Sequence, residues 1–203
     1  MAYRETMENN GMEAGRAKNQ IPYCTVVLVV LNVILFLIGL ILPKAGEWME
    51  SEGCFSVVYL LYEHSGFYRL ITAAFLHADV EHLLNNMLLL YCCGDVVERC
   101  LGKVRFLILY FGSEIFGNLL SAAYELSTGS FYESIGASGA VFGLTGALLF
   151  LVIVKKGAAA GISLKRAVFA VVLSLYAGFG SAYVNNAAHV GGLLSGFLLG
   201  FLL

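Results

Sequence analysis

The chain has 203 residues, of which 59% are hydrophobic and 13% charged, with a mean hydropathy of +0.81. Soluble domains carry about 25% charged residues, so a water-soluble globular class is excluded, and several apolar runs of about 20 residues point to an integral membrane protein. A formal net charge of -2 with no basic cluster argues against a nucleic-acid partner.

Residues 1 to 22 are polar and of mixed charge, with Asn9, Asn10, Gly11, Gly15, Asn19 and Gln20, and are expected to form a flexible cytoplasmic tail. The first apolar run, Tyr23 to Leu42, is too long for the h-region of a signal peptide. It is expected to remain in the bilayer as a helix that stops at Pro43. Residues 44 to 66 mix Trp48, Phe55, Tyr59 and Tyr62 with Glu47, Glu50, Glu52 and Glu63. That stretch is too mixed to span and too apolar for a solvated loop, so an element lying in the membrane interface is expected, with His64 exposed there. Further helices are predicted over about Val80 to Leu101, Val104 to Glu125, Ile135 to Val154, Leu164 to Phe179 and Asn185 to Leu203.

The sequence therefore reads as an all-α membrane protein, with a tail (1–22) and one six-helix domain (23–203). Basic residues orient it. Arg4, Arg16, Lys18, Arg99, Lys103, Arg105, Lys155, Lys156, Lys165 and Arg166 fall on one side of a six-span arrangement, and Lys44 and Arg69 on the other. By the positive-inside rule both termini are cytoplasmic. The short tail has no transit-peptide character, which points to a bacterial cytoplasmic membrane. Cys24, Cys54, Cys92, Cys93 and Cys100 show no CxxC spacing, so neither a zinc site nor a disulfide framework is signalled.

With six spans, three helices run inward from the outer side and carry polar groups near their outer ends. These are His82 and Asn86 on the second, Ser138 on the fourth, and Asn186 and His189 on the sixth. At about 1.5 Å rise per residue, all lie within roughly 10 Å of the outer boundary. Polar groups inside a bilayer are costly, and several at one depth suggest one site. Ala188, Gly192, Gly196 and Gly200 form a small-residue stripe, and Gly139, Gly143 and Ala147 form another. Such stripes let two backbones approach closely. Ser138 and His189 adjoin the two stripes, which can bring a hydroxyl within reach of an imidazole, the arrangement of a base-activated nucleophile. His82 and Asn86, four apart on one helix face, are candidate oxyanion donors together with the Ser138 amide; the bland alternative is that they staple helices together. Asn186 could cap the sixth helix or line the site. No aspartate lies near the pair, so a catalytic unit would be a dyad.

Several pieces together resemble the rhomboid intramembrane serine proteases. They are Gly136-x-Ser138-Gly139, His82-x3-Asn86, Asn186-Ala-Ala-His189-x-Gly-Gly, Tyr68-Arg69 ahead of the second helix, and Val97-Glu98-Arg99-x-Leu101-Gly102 at its inner end. The resemblance covers about residues 23 to 203. It implies a six-helix rhomboid-like bundle with Ser138 as nucleophile, His189 as general base, and His82, Asn86 and the Ser138 amide as oxyanion hole. It places Gly136, Gly139, Phe142 and Asn186 in support, with the Phe142 ring packing under the histidine. Transmembrane protein substrates cut near their outer end are implied, and no metal or cofactor. Departures are Tyr68, where the family has Trp, and Glu114, for which an interior structural role is expected with no nameable partner. Two other readings remain: a catalytically silent relative that binds transmembrane clients, and a small-solute channel, which the mostly apolar inner halves of the fourth and sixth helices disfavour.

Overall fold

The computed structural model describes residues 21–62, 66–154 and 184–203, and residues 168 and 172 singly. Residues 1–20 of the expected tail, His64 and almost all of the expected fifth helix lie outside the described residues. Within them the regular structure is helical, with one isolated antiparallel bridge between Phe55 and Ser134. The helices are α1 (Tyr23–Ile41), α2 (Pro43–Gly53), α3 (Val57–Tyr62), α4 (Arg69–Thr72), α5 (Val80–Leu101), α6 (Lys103–Thr128), α7 (Ser138–Val154) and α8 (Asn186–Leu202). Short 3₁₀ turns flank α4 at Gly66–Tyr68 and Ala73–Phe75.

Local sequence accounts for these limits. Pro43 ends α1, as expected, but it also opens α2, where its fixed φ suits the first helical position and its missing N–H is not needed. The stretch expected to be interfacial is thus largely helical. Asp79 caps α5, its side chain accepting from His82 N at 2.8 Å. Gly102 (φ 80°) and Gly129 (φ 70°) close α5 and α6 in conformations a β-carbon would disfavour.

α1 and α6 are each long and apolar enough to cross a membrane. α1 stays mostly on the outside of the bundle, yet its N-terminal end is pinned. The buried Glu98 carboxylate accepts from Cys24 N (2.9 Å), Thr25 N (2.8 Å) and Thr25 Oγ1 (2.8 Å). The first turn of α1 is thereby capped by a residue 73 positions away. Between α2 and α4, buried Arg69 donates to Ser51 O (2.8 Å) and Cys54 O (3.3 Å) and lies 4.1 Å from the centre of the Tyr59 ring. It holds this part of the chain together, the anchoring role its position in the sequence suggests.

The core is a cluster in which Leu83, Leu90 and Val97 of α5, Phe106, Leu109 and Tyr110 of α6, and Val141, Leu144 and Leu148 of α7 are all buried. The tightest seam is α7 against α8. A β-carbon on Gly192 would fall on the backbone of Gly139, and one on Gly196 on the backbone of Gly143. One on Gly200 would lie 3.3 Å from Ala147 Cα. The two expected small-residue stripes face each other in that register. α6 joins them, since a β-carbon on Gly191 would lie 3.0 Å from Gly117 Cα. Small residues at these crossings let three backbones meet where larger side chains would hold them apart.

Candidate active site

The site begins where α7 begins. Gly136 has φ 124°, outside the helical region, so the helix starts at Ser138 and not at Ile135 as expected from the apolar run. The segment before it is clamped. Ser134 exchanges backbone hydrogen bonds with Phe55 (2.7 and 2.8 Å), and Gly136 N donates to Ala73 O at 2.9 Å. Gly136 also leaves room for a neighbouring helix: a β-carbon there would lie 2.6 Å from His82 Nε2 and 3.7 Å from Asn86 Nδ2. The expected pair on α5 therefore faces the turn two residues ahead of Ser138. Asn86 is buried, with Nδ2 donating to His82 O at 3.2 Å.

On α8, the His189 ring stacks on Phe142 with centroids 4.2 Å apart and planes 11° apart. Phe142 is four residues after Ser138, hence one turn below it on the same face of α7. Ala188, next to His189, lines the same small cavity as Ser138, Gly136 and Gly139. That cavity, about 20 Å³, has room for about one water molecule. Among the described residues no hydrogen bond joins Ser138 Oγ to His189, and His189 Nδ1 is buried without a partner.

The structure also brings in residues that the sequence reading passed over. Asn185, not Asn186, caps α8: its Oδ1 accepts from Ala188 N at 3.0 Å. The same amide donates to Ser121 Oγ of α6 (2.7 Å) and Ser134 Oγ (2.8 Å), tying the histidine helix to the segment that leads into Ser138. Asn185 lines the cavity beside Ser138 and Asn186 does not. The signal was present, because the cap is the residue just before the first helical one, and either member of an Asn-Asn pair can supply it. Glu114, left without a partner in the sequence, is buried in the same cavity wall. Its Oε2 accepts from Ala140 N (2.8 Å) and its Oε1 from Asn118 Nδ2 (3.2 Å). The bond from α7 to α6 could not be read from spacing alone, whereas Asn118 lies four residues on along the same helix.

His77 sits just outside α5 with its ring 5.0 Å from that of His82, edge to face. Both its ring nitrogens are shielded and unpartnered among the described residues. Burial, and secondarily the His82 charge, lower its pKa to about 3. Among the described residues no three His, Cys, Asp or Glu side chains gather as metal ligands would.

A helix bearing Ser138, a stacked histidine and a His/Asn pair at its start is a specific constellation, and comparison with known proteins supplies its family. The Rhomboid domain model matches residues 64–203. The chain belongs to the rhomboid family. Among curated rhomboid relatives, the rhomboid protease GluP of Bacillus subtilis (strain 168) is 31% identical over 195 residues, covering 94% of this chain and 36% of GluP. RHOMBOID-like protein 1 of Arabidopsis thaliana is 38% identical over 159 residues, 75% of this chain and 38% of that protein. The Bacillus subtilis protein YdcA is 38% identical over 135 residues, 66% of each chain. The chain thus spans only about a third of the length of GluP. Rhomboid proteins are integral membrane proteins, and the family holds both serine proteases and inactive members.

Proposed function

We propose that this rhomboid is an intramembrane serine endopeptidase that cleaves transmembrane segments of other proteins near their outer ends. In this reading His189 takes the proton from Ser138 Oγ as that oxygen attacks the scissile carbonyl carbon, forming a tetrahedral adduct. His82, Asn86 and the Ser138 amide donate to its oxyanion. His189 then returns the proton to the leaving amine as the C–N bond breaks, leaving an acyl ester on Ser138. Water, deprotonated by His189, attacks the ester carbonyl, and His189 passes that proton to Ser138 Oγ as the ester C–O bond breaks and the acid leaves. A peptide bond inside a helix is shielded and hydrogen-bonded, so the substrate must unwind locally at the cut.

The observation that carries the reading is the Phe142–His189 stack, which holds the imidazole against a ring one turn along α7 from Ser138, where the glycine stripes bring α7 and α8 together. The proposal includes six spans with both termini cytoplasmic, read from the distribution of Lys and Arg, and a bacterial cytoplasmic membrane as the location. Ser138→Ala and His189→Ala are each expected to abolish cleavage of a model transmembrane peptide while the protein still folds. A Ser138→Ala protein that cuts at the parent rate sinks the proposal.

The lack of a Ser138–His189 hydrogen bond among the described residues favours a second reading, a non-catalytic rhomboid that binds transmembrane clients. A fluorophosphonate probe separates the two: covalent labelling of Ser138 supports the protease, and absence of labelling in a folded preparation supports the client binder.

A further inference from the structure

We infer that Glu114 is a positioning residue for the nucleophile, acting through the first turn of α7; the inference rests on the protease reading. A helix start leaves its leading amides without intrahelical acceptors. Here Val141 N is the first to find one, on Ala137 O at 2.9 Å. Ahead of it Ala140 N goes to Glu114 Oε2 at 2.8 Å, a bond from α6 to α7. Among the described residues the Ser138 and Gly139 amides have no acceptor. Glu114 thus occupies one leading amide and leaves the one at the nucleophile open to an oxyanion.

The carboxyl is held from both sides. Oε1 accepts from Asn118 Nδ2, which also donates to Leu70 O at 3.1 Å, so Glu114, Asn118 and α4 form one chain of bonds. Glu114 is only 2% exposed, and a β-carbon on Gly139 would lie 2.9 Å from Oε2. The glycine after Ser138 is what lets the carboxyl reach the amide behind it. Burying a carboxyl group in a membrane protein is costly, and such groups pair within the bundle interior or serve function. The placement at a helix N-terminus compensates, because the amides and the helix dipole there attract an acceptor oxygen. Loss of the bond frees the turn that sets the direction of Ser138 Oγ and N–H, and displacement of a reacting group by about 1 Å can cost about 100-fold in rate.

The test compares Glu114→Gln, which keeps an acceptor at the same reach, with Glu114→Ala, which removes it. Thr25→Val, far from the site, serves as a control for lost stability alone. Each is read by the fluorophosphonate labelling rate of Ser138, by kcat and KM on a transmembrane peptide, and by Tm. Glu114→Ala is expected to lower kcat and labelling about 10- to 100-fold with KM little changed. Glu114→Gln should stay near the parent, and Thr25→Val should lose Tm but keep its labelling rate. Parent-like labelling in Glu114→Ala overturns the inference; so does an equal loss in Glu114→Gln, or a loss in Thr25→Val as large as in Glu114→Ala. If Glu114→Ala does not accumulate, Asn118→Ala frees one carboxyl oxygen and should show a smaller loss of the same kind; none overturns the inference. A parent that neither labels nor cleaves overturns the protease reading itself, and this role with it.

Discussion

Single side chains in this molecule are held in protonation states and directions that water would not impose. His77 is the case open to a pH experiment. Its ring nitrogens are shielded, and its pKa is lowered to about 3, against 6.5 for a free histidine, by burial first and by the His82 charge second, with Asp79 opposing weakly. The folded protein therefore keeps the ring neutral where an unfolded chain would take up a proton. The stability this contributes is complete above pH 6.5 and is lost as pH falls from there toward 3. Tm is expected to drop between pH 7 and pH 5, and His77→Asn should flatten part of that slope. An unchanged slope in the variant would mean that His77 is not among the groups responsible. Asn185 shows a different kind of control. Its side-chain oxygen and both donors are engaged at once by Ala188, Ser121 and Ser134, so one residue sets where the start of α8 and the segment leading into Ser138 stand relative to each other.

Among the helices, the α7–α8 seam decides most of the geometry. Gly196→Leu would drive a branched side chain into the backbone of Gly143, and α8 could remain only by moving off. The expected cost is about 3 kcal/mol or more, beyond ordinary overpacking because backbone, not a side chain, must yield. Thermal denaturation in detergent measures the loss, and Ser138 labelling should fall with it; a variant with parent Tm would contradict the seam. This seam was readable in advance. Glycines every fourth residue on two apolar runs, each beside a polar residue, suffice to pair the helices and set the depth of Ser138 and His189. The limits of α5 were equally plain, with Asp79 before it and Gly102 after. The start of α7 was not, because Ile135, Gly136 and Ala137 continue the apolar run, and only the backbone shows that Gly136 leaves the helical region. The distant partners of Glu114 and Asn185 were hidden for a related reason: these bonds join residues 26, 51 and 64 positions apart, and periodicity along one helix carries no information about such pairs.

For the molecule as a whole, the division between a tight block and an outlying helix matters most. α6, α7 and α8 meet through glycine, whereas α1 leans on the rest and depends on Glu98 at its N-terminal end. Glu98→Ala would leave three donors, Cys24 N, Thr25 N and Thr25 Oγ1, without their acceptor, at an expected cost of about 2 to 4 kcal/mol. Tm should fall accordingly while Ser138 labelling well below Tm stays near the parent rate; equal loss of both would mean that α1 shapes the site directly. The order of parts along the chain has a further consequence. His189 and its cap belong to α8, behind every other described element in synthesis, so in the proposed mechanism the base joins the serine only after α8 has entered the bilayer. On the protease reading, a nascent chain in which α8 has not yet packed would be inert toward neighbouring polypeptides during its own insertion.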